Sequence, residues 1–232
     1  MKIKLISLSS ILFISMSAYA SEEEQQVEEN KQVAEVKAQR TGYHAQDIRN
    51  VQTKLEADYF THDNFDGYAV GGDFGIGDSA SIGVQYTALE YTWNDFRGRE
   101  KSSDSDAVAI TGQYNINENI VIDALWNVSG DYDQLTFGAN YVADASFGVW
   151  NLGANYSMGD LNDSADFEAG VLIPFGGDFY YRGDFTYYLD SGYDSEFENK
   201  LGWSNGTIDI NASYNMYEFD DSYIGVHFGY LF

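Results

Sequence analysis

The sequence predicts an all-β chain that closes into an antiparallel transmembrane β-barrel of about twelve strands. Three observations lead to this prediction. From Val51 onward, apolar and polar residues alternate with a period of two, in segments close to the ~9–11 residues that a tilted membrane strand needs. The connections between these segments are alternately tight and longer. Finally, 37 acidic residues coexist with 19 Tyr, 15 Phe and 4 Trp, so polar and aromatic surfaces must be separated in space.

Residues 1–20, MKIKLISLSSILFISMSAYA, predict a secretory signal peptide. Lys2 and Lys4 precede an apolar run that is too short to span a bilayer, and Ala18-Tyr19-Ala20 forms a small-x-small cleavage site. An uncleaved membrane anchor is the alternative, but serines dilute the run. The chain has no cysteine, so we expect neither a lipid-modified N-terminus nor a disulfide framework.

Residues 21–49 are charged, rich in Gln and poor in aromatics, unlike the rest of the chain. They predict an acidic periplasmic tail that is flexible or loosely helical. A coiled coil is the alternative, but it requires sustained apolar heptads, which this stretch lacks. Residues 50–232 are then the barrel domain.

Twelve candidate strands follow, and most have one nearly pure apolar face. They are 50–60, 67–76, 81–93, 107–116, 119–128, 134–143, 148–158, 166–175, 179–189, 197–203, 207–217 and 223–232. In the third candidate the apolar parity changes after Tyr86, which predicts a β-bulge near Thr87. The third and tenth candidates are the weakest, so ten or fourteen strands stay open.

The connections predict how the barrel is oriented. Those after even-numbered strands, such as GDSA, NE and SNG, are tight, whereas those after odd-numbered strands are longer or more acidic, such as NDFRGREKSSDSD. Short periplasmic turns and longer outer loops are typical of outer-membrane barrels. A soluble β-sandwich would show the same alternation within strands, but it would not explain this asymmetry.

The last strand, YIGVHFGYLF, places apolar residues at alternate positions and ends on Phe232. It resembles the C-terminal signature of Gram-negative outer-membrane β-barrels, which is specific for class and location. The resemblance implies that Val226, Phe228, Tyr230 and Phe232 form an assembly signal presented to the barrel assembly machinery. It also implies location in the cell outer membrane, with lipid and lipopolysaccharide as partners and the last strand paired to the first.

The inward faces of the strands predict a charged lumen. The predicted lumen-lining charges are Lys54, Glu56, Asp58, Asp73, Glu90, Asp123, Glu168, Arg182, Asp184, Glu198, Lys200 and Asp209. Nine of these twelve are acidic, so we expect the lumen to enrich cations. Many other inward residues are small or polar, such as Gly138 and Asn140, which favours a narrow water-filled passage. The group Glu168, Asp184, Lys200 and Asp209 is either a bracing ion-pair network or a constriction that filters solutes.

The sequence therefore predicts a passive, porin-like, cation-preferring channel for small hydrophilic solutes. A surface-exposed structural or adhesive barrel is the alternative. Catalysis is not expected, because the histidines His44, His62 and His227 have no identifiable nucleophile beside them. Tyr180, Tyr188 and Tyr217 offer a stacking surface for a sugar or ring-bearing solute, or are simply packed. We expect a monomer without cofactor or metal, and the acidic balance excludes nucleic acid as a partner.

Overall fold

A computed structural model shows the chain as a closed barrel of twelve β-strands and describes residues 43–94, 97–130, 132–160, 163–189, 195–217 and 221–232. The strands are β1 (Lys54–His62), β2 (Phe65–Ile76), β3 (Ala80–Asn94), β4 (Glu100–Asn117), β5 (Ile120–Ser129), β6 (Tyr132–Ala145), β7 (Gly148–Gly159), β8 (Ser164–Phe175), β9 (Phe179–Leu189), β10 (Ser195–Ser204), β11 (Ile208–Tyr217) and β12 (Asp221–Leu231). The predicted signal peptide and residues 21–42 of the predicted tail lie outside the described residues.

The barrel is antiparallel throughout, and the last strand closes it against the first. Each strand pairs with its neighbours in chain order, and β1 also pairs with β12 over the register from Lys54–Leu231 to Thr61–Ile224. This arrangement confirms the predicted twelve strands and the predicted closure. Among the described residues, no helix is long and apolar enough to cross a membrane.

The outer surface is apolar, as a transmembrane barrel requires. Outward side chains are large and well exposed, for example Phe74 at 57 % and Leu201 at 59 %. The four side chains of the predicted assembly signal, from Val226 to Phe232, also point outward and are exposed. Such a continuous apolar band is a liability in water but matches the hydrocarbon core of a bilayer.

The register of β3 corrects the predicted bulge near Thr87. Pairing with β2 runs unbroken from Ala80 to Tyr91, and pairing with β4 is equally regular. The described pairings contain a register shift in β4 instead, between Asn115 and Asn117. Because the parity of β3 does not change, Leu89 is buried inside the barrel while Glu90 faces outward.

The two ends of the barrel differ in their connections. At one end, called the short-turn end, connections of two or three residues join the even-numbered strands to the next strand; they are 77–79, 118–119, 146–147, 176–178 and 205–207. The opposite, long-loop end includes five-residue connections at 95–99 and 190–194. Several strands there run further than predicted, so connections 63–64 and 130–131 have only two residues.

One side of the lumen is filled by apolar side chains toward the long-loop end. This apolar cluster consists of Phe60, Phe65, Ala69, Leu89, Ala107, Ala109, Leu125 and Tyr223, from β1 to β5 and β12. Its rings meet at angles, with centroids 6.4 Å apart for Phe60 and Tyr223 and 6.0 Å apart for Phe65 and Tyr223. The cluster leaves the remaining lumen to the polar faces of β5 to β11.

Candidate functional site

The lumen brings together most of the charges that the sequence predicted there. Eleven of the twelve predicted residues share the inward parity of their strands: Lys54, Glu56, Asp58, Asp73, Asp123, Glu168, Arg182, Asp184, Glu198, Lys200 and Asp209. Glu90 is the exception. It is exposed on the outside, opposite Asp66 on β2 and Asp104 on β4, so its predicted place in the lumen was wrong.

The short-turn end of the lumen is occupied by residues 43–52, named here the plug segment. Gln46, Asp47, Arg49 and Gln52 in it are all at most 4 % exposed. The sequence predicted a flexible tail as far as residue 49, but residues 43–49 pack inside the barrel instead. They contain few apolar side chains, so hydrophobicity did not reveal this burial.

Hydrogen bonds attach the first part of the plug segment to β9 and β11. Gln46 Nε2 donates to Asp209 Oδ2 at 2.5 Å, and Arg182 donates to the Gln46 carbonyl oxygen. The His44 ring meets the Tyr180 ring edge-on, with centroids 5.0 Å apart. Burial and the nearby Arg182 guanidinium lower the pKa of His44 to about 3, so its imidazole is neutral at pH 7.

The second part of the plug segment is attached to the opposite wall, on β4 and β6. Gln113 Nε2 donates to the Ile48 carbonyl oxygen at 2.6 Å, and Asn115 Nδ2 donates to that of Arg49 at 2.5 Å. Ile48 also packs against an apolar group that includes Val121 and Val142. The segment therefore crosses the lumen from β9 and β11 to β4 and β6.

Arg49 is the main ionic anchor of this crossing. Its Nη2 atom lies 2.6 Å from Asp47 Oδ2 and 2.7 Å from Asp144 Oδ1, and its Nη1 donates to the Glu118 carbonyl oxygen at 3.2 Å. Arg49 and Asp47 are almost completely buried, whereas the Asp144 side chain is 40 % exposed. Burial raises the pKa of Asp47 to about 7, although the Arg49 guanidinium opposes this shift.

Two further ion-pair groups brace the wall. Lys54 Nζ lies 2.7 Å from Glu56 Oε1 and 3.1 Å from Asp73 Oδ2. Beside them, His227 Nδ1 lies 2.7 Å from Asp58 Oδ1. Because each acidic group here has a cationic or imidazole neighbour, this side of the lumen is largely compensated.

The predicted group of Glu168, Asp184, Lys200 and Asp209 divides among different partners. Arg182 Nη2 donates to Asp184 Oδ1 at 2.7 Å, and Lys200 Nζ lies 3.0 Å from Glu198 Oε2. Asp209 accepts from Gln46 and, at 3.2 Å, from the Tyr180 hydroxyl. These contacts favour a structural role for Asp184, Lys200 and Asp209 as part of an ion-pair and hydrogen-bond network that braces the wall, but not for Glu168.

The three lumen tyrosines are packed rather than available as a stacking surface. Tyr180 is fully buried, and the Tyr188 hydroxyl donates to Glu196 Oε2 at 2.7 Å. Tyr217 stacks on Tyr223, with ring centroids 5.7 Å apart.

Asp123, Asp166 and Glu168 form the least compensated part of the lumen, named here the acidic vestibule. Asn155 lies at its centre, and its Nδ2 atom donates to Asp166 Oδ1 at 2.6 Å and to Glu168 Oε1 at 2.9 Å. Asp123 and Glu168 are partly exposed. The sequence-based prediction omitted Asp166, although it has the same parity as Glu168 two residues along β8.

The described hydrogen bonds of His62 and His227 involve carboxylates and a backbone N–H, not a hydroxyl or thiol nucleophile. His62 Nε2 lies 2.6 Å from Asp221 Oδ1, and its Nδ1 accepts from the Asn64 backbone N–H. His227 contacts the Asp58 carboxylate, as described above. In the described residues, no group of three or more His, Cys, Asp and Glu side chains is arranged to hold a metal ion.

Known proteins resemble this chain in structure but not in sequence. No protein-family model matches the chain, and no curated protein sequence matches it. The KdgM porin in complex with disordered oligogalacturonate superposes with a TM-score of 0.58 and 11 % identity, covering 77 % of this chain and 99 % of that chain. LpxR from Salmonella typhimurium gives 0.54 and 10 %, covering 77 % and 100 %. The Acinetobacter baumannii outer membrane protein Omp33 gives 0.51 and 10 %, covering 79 % and 99 %.

The chain has the fold of outer-membrane β-barrels. At identities of 10–11 % the likeness establishes the fold alone. Activity must therefore be argued from the lumen itself.

Proposed function

We propose that this protein is a passive outer-membrane channel for small hydrophilic solutes and that it prefers cations. The acidic vestibule carries the proposal, because it combines negative charge with side chains that water reaches. Inside a low-dielectric wall such a field enriches cations and depletes anions.

The charge balance of the whole lumen supports the same preference. Eleven buried or half-buried carboxylates face inward or belong to the plug segment: Asp47, Glu56, Asp58, Asp73, Asp123, Asp166, Glu168, Asp184, Glu196, Glu198 and Asp209. The cationic side chains there are Arg49, Lys54, Arg182 and Lys200, so eleven minus four leaves a formal charge of −7. A solute with several carboxylates, such as the oligogalacturonate bound to the KdgM porin, would be repelled by this lumen.

The outward surface supports a place in the outer membrane of a Gram-negative bacterium, with the short turns in the periplasm. The apolar band would contact lipid, and the exposed acidic residues of the long-loop end would face lipopolysaccharide. We expect a monomer, delivered by the signal peptide and inserted by the barrel assembly machinery.

The plug segment would obstruct the proposed channel in the described conformation. It crosses the short-turn end from wall to wall, so solutes pass only when it leaves its place. Its polar composition suits such movement, because hydrogen bonds and the ion pair between Arg49 and Asp144 hold it to the wall more than apolar contacts do.

Single-channel recording tests this proposal. Purified full-length mature protein, in a planar bilayer with a salt gradient, is expected to show current steps whose reversal potential is biased toward the cation. An anion-biased reversal potential would contradict the cation preference. A bilayer that stays silent with folded wild type and also with a folded variant whose plug segment is loosened would contradict the channel itself.

A structural or adhesive barrel without transport is the second candidate. The filling of the lumen favours it, because the apolar cluster and the plug segment together occupy much of the interior. A silent bilayer, both for the wild type and for a variant with a loosened plug segment, would support this candidate.

A further inference from the structure

Two buried oxygen atoms of the acidic vestibule face the same small space. An ideal Cβ atom built on Gly138 would lie 2.4 Å from Asp123 Oδ2 and 2.5 Å from Asn155 Oδ1. Both oxygens are buried, and neither has a hydrogen-bond partner among the described residues. Asn155 itself is only 5 % exposed. Buried acceptors are normally paired, since an unsatisfied one costs about 1–3 kcal/mol.

The orientation of the Asn155 amide is determined by its other contacts. Its Nδ2 atom donates to both Asp166 and Glu168, as described above. A flipped amide would lose both hydrogen bonds and place its oxygen against two carboxylates. The Oδ1 atom therefore points toward Asp123. Two hydrogen-bond acceptors, Asn155 Oδ1 and Asp123 Oδ2, face the same space with no donor between them.

We propose that this space is a binding subsite for the primary ammonium group of a small cationic solute. An ammonium group brings several N–H donors and one positive charge. It would satisfy Asp123 Oδ2 and Asn155 Oδ1, and Glu168 and Asp166 add negative charge nearby. The inference rests on the proposed channel function, because it specifies the class of solute that the lumen would select.

An ammonium group suits this subsite better than a resident metal ion. The oxygens nearest the Gly138 Cβ position come from only two side chains: Asp123 Oδ2 at 2.4 Å, Asn155 Oδ1 at 2.5 Å and Asp123 Oδ1 at 2.6 Å. Hard metal ions take six or more oxygen ligands. A primary ammonium needs only a few acceptors and tolerates an open side.

Gly138 allows a test that changes no charge. In Gly138→Ala the new methyl group would lie 2.4–2.5 Å from the two oxygens, closer than van der Waals contact, so it would push them aside and take the place of a ligand. Gly112→Ala is the matched control: this glycine faces outward on β4, and a Cβ there would meet nothing within 4 Å. Asp123→Asn is a second variant, which keeps the side-chain volume and removes the charged acceptor.

The experiment measures binding of 1,4-diaminobutane to the folded full-length mature protein in detergent by isothermal titration calorimetry. Tetramethylammonium is the comparison ligand, because it carries the charge without N–H donors. We expect saturable diamine binding that Gly138→Ala and Asp123→Asn weaken at least ~10-fold, in line with the loss of a charge-assisted hydrogen bond. Gly112→Ala should bind as the wild type does, and tetramethylammonium should bind much more weakly.

Three results would overturn the subsite: no saturable diamine binding, equal affinity for tetramethylammonium, or unchanged affinity in both variants. Folding of each variant is checked by circular dichroism. If Gly138→Ala does not fold, the diamine affinity of Asp123→Asn alone tests the subsite. Failure of the channel proposal is distinguishable, because bilayer currents are measured separately. Diamine binding without current would support the subsite and contradict the channel proposal. Current without diamine binding would support the channel and contradict the subsite.

Discussion

Arg49 of the plug segment and Asp144 of β6 form an ion pair, with Nη2 and Oδ1 2.7 Å apart. This pair connects the segment that crosses the lumen to the barrel wall, while the buried contact between Arg49 and Asp47 lies within the segment itself. Conduction by the proposed channel should therefore depend on the Arg49 guanidinium group.

Replacing Arg49 by Met should loosen the plug segment and increase conductance. The substitution keeps most of the volume but leaves the Asp47 carboxylate buried without its cation, and breaking a buried pair costs about 3–5 kcal/mol. Single-channel recording should show a larger open fraction than in the wild type. Lys101→Met, at an exposed position of β4, is the control and should change nothing. An unchanged open fraction in Arg49→Met would show that hydrogen bonds alone hold the segment.

The acidic vestibule should determine ion preference. Asp123→Asn combined with Glu168→Gln removes two of its carboxylates, and we expect the cation-to-anion permeability ratio to fall by about two-fold or more. Reversal potentials in a salt gradient measure this ratio. Glu90→Gln is the matched control, since Glu90 is a carboxylate outside the lumen. If Glu90→Gln lowers the ratio as much, surface charge rather than the vestibule sets the preference.

Strand parity was predictable from the sequence wherever each face of a strand meets a single medium. At the C-terminal end, Val226, Phe228, Tyr230 and Phe232 point outward, while His227 and Leu231 are buried inside. The prediction failed at Glu90 because the end of β3 extends to the long-loop end, where the apolar cluster fills the interior. There an apolar residue such as Leu89 points inward, so hydrophobicity no longer indicates the outward direction.

The plug segment was not predictable for a different reason. Its stretch Tyr43–Asn50 is polar, and its burial depends on hydrogen bonds to Gln113, Asn115 and Arg182, which are distant in sequence. Composition alone cannot show such partners. The same holds for the acidic vestibule, because the convergence of Asp123 and Asn155 over Gly138 depends on the register of three strands.

The closure of the plug segment should vary little with pH in the wild type, because two buried groups act in opposite directions. The pKa of Asp47 is raised to about 7, so the plug segment should bind more tightly inside the barrel as pH falls from about 7 toward 4. The pKa of His44 is lowered to about 3, so the plug segment should bind less tightly inside the barrel as pH falls below about 6.5. The charged groups that face them are Arg49 and Asp144 at Asp47, and Arg182 at His44.

Single substitutions should reveal these opposing contributions. As pH falls from 6.5 to 4.5, His44→Gln should show a decreasing open fraction, because Asp47 then acts alone. Asp47→Asn should show an increasing open fraction over the same range, because only His44 titrates. The open fraction in single-channel records at each pH measures both slopes. Equal slopes in the two variants would contradict this assignment.

The apolar cluster should contribute more to stability than the lipid-facing side chains. Phe60 is 3 % exposed, with Phe65 and Tyr223 packed around it, so Phe60→Ala would leave a cavity that the closed wall cannot fill. We expect the free energy of unfolding to fall by about 3–5 kcal/mol. Phe74→Ala removes the same ring from the outer face, where lipid chains replace the lost contacts, so its cost should be smaller. Guanidinium unfolding in lipid vesicles measures both losses, and equal values would show that the interior of the long-loop end is loosely packed.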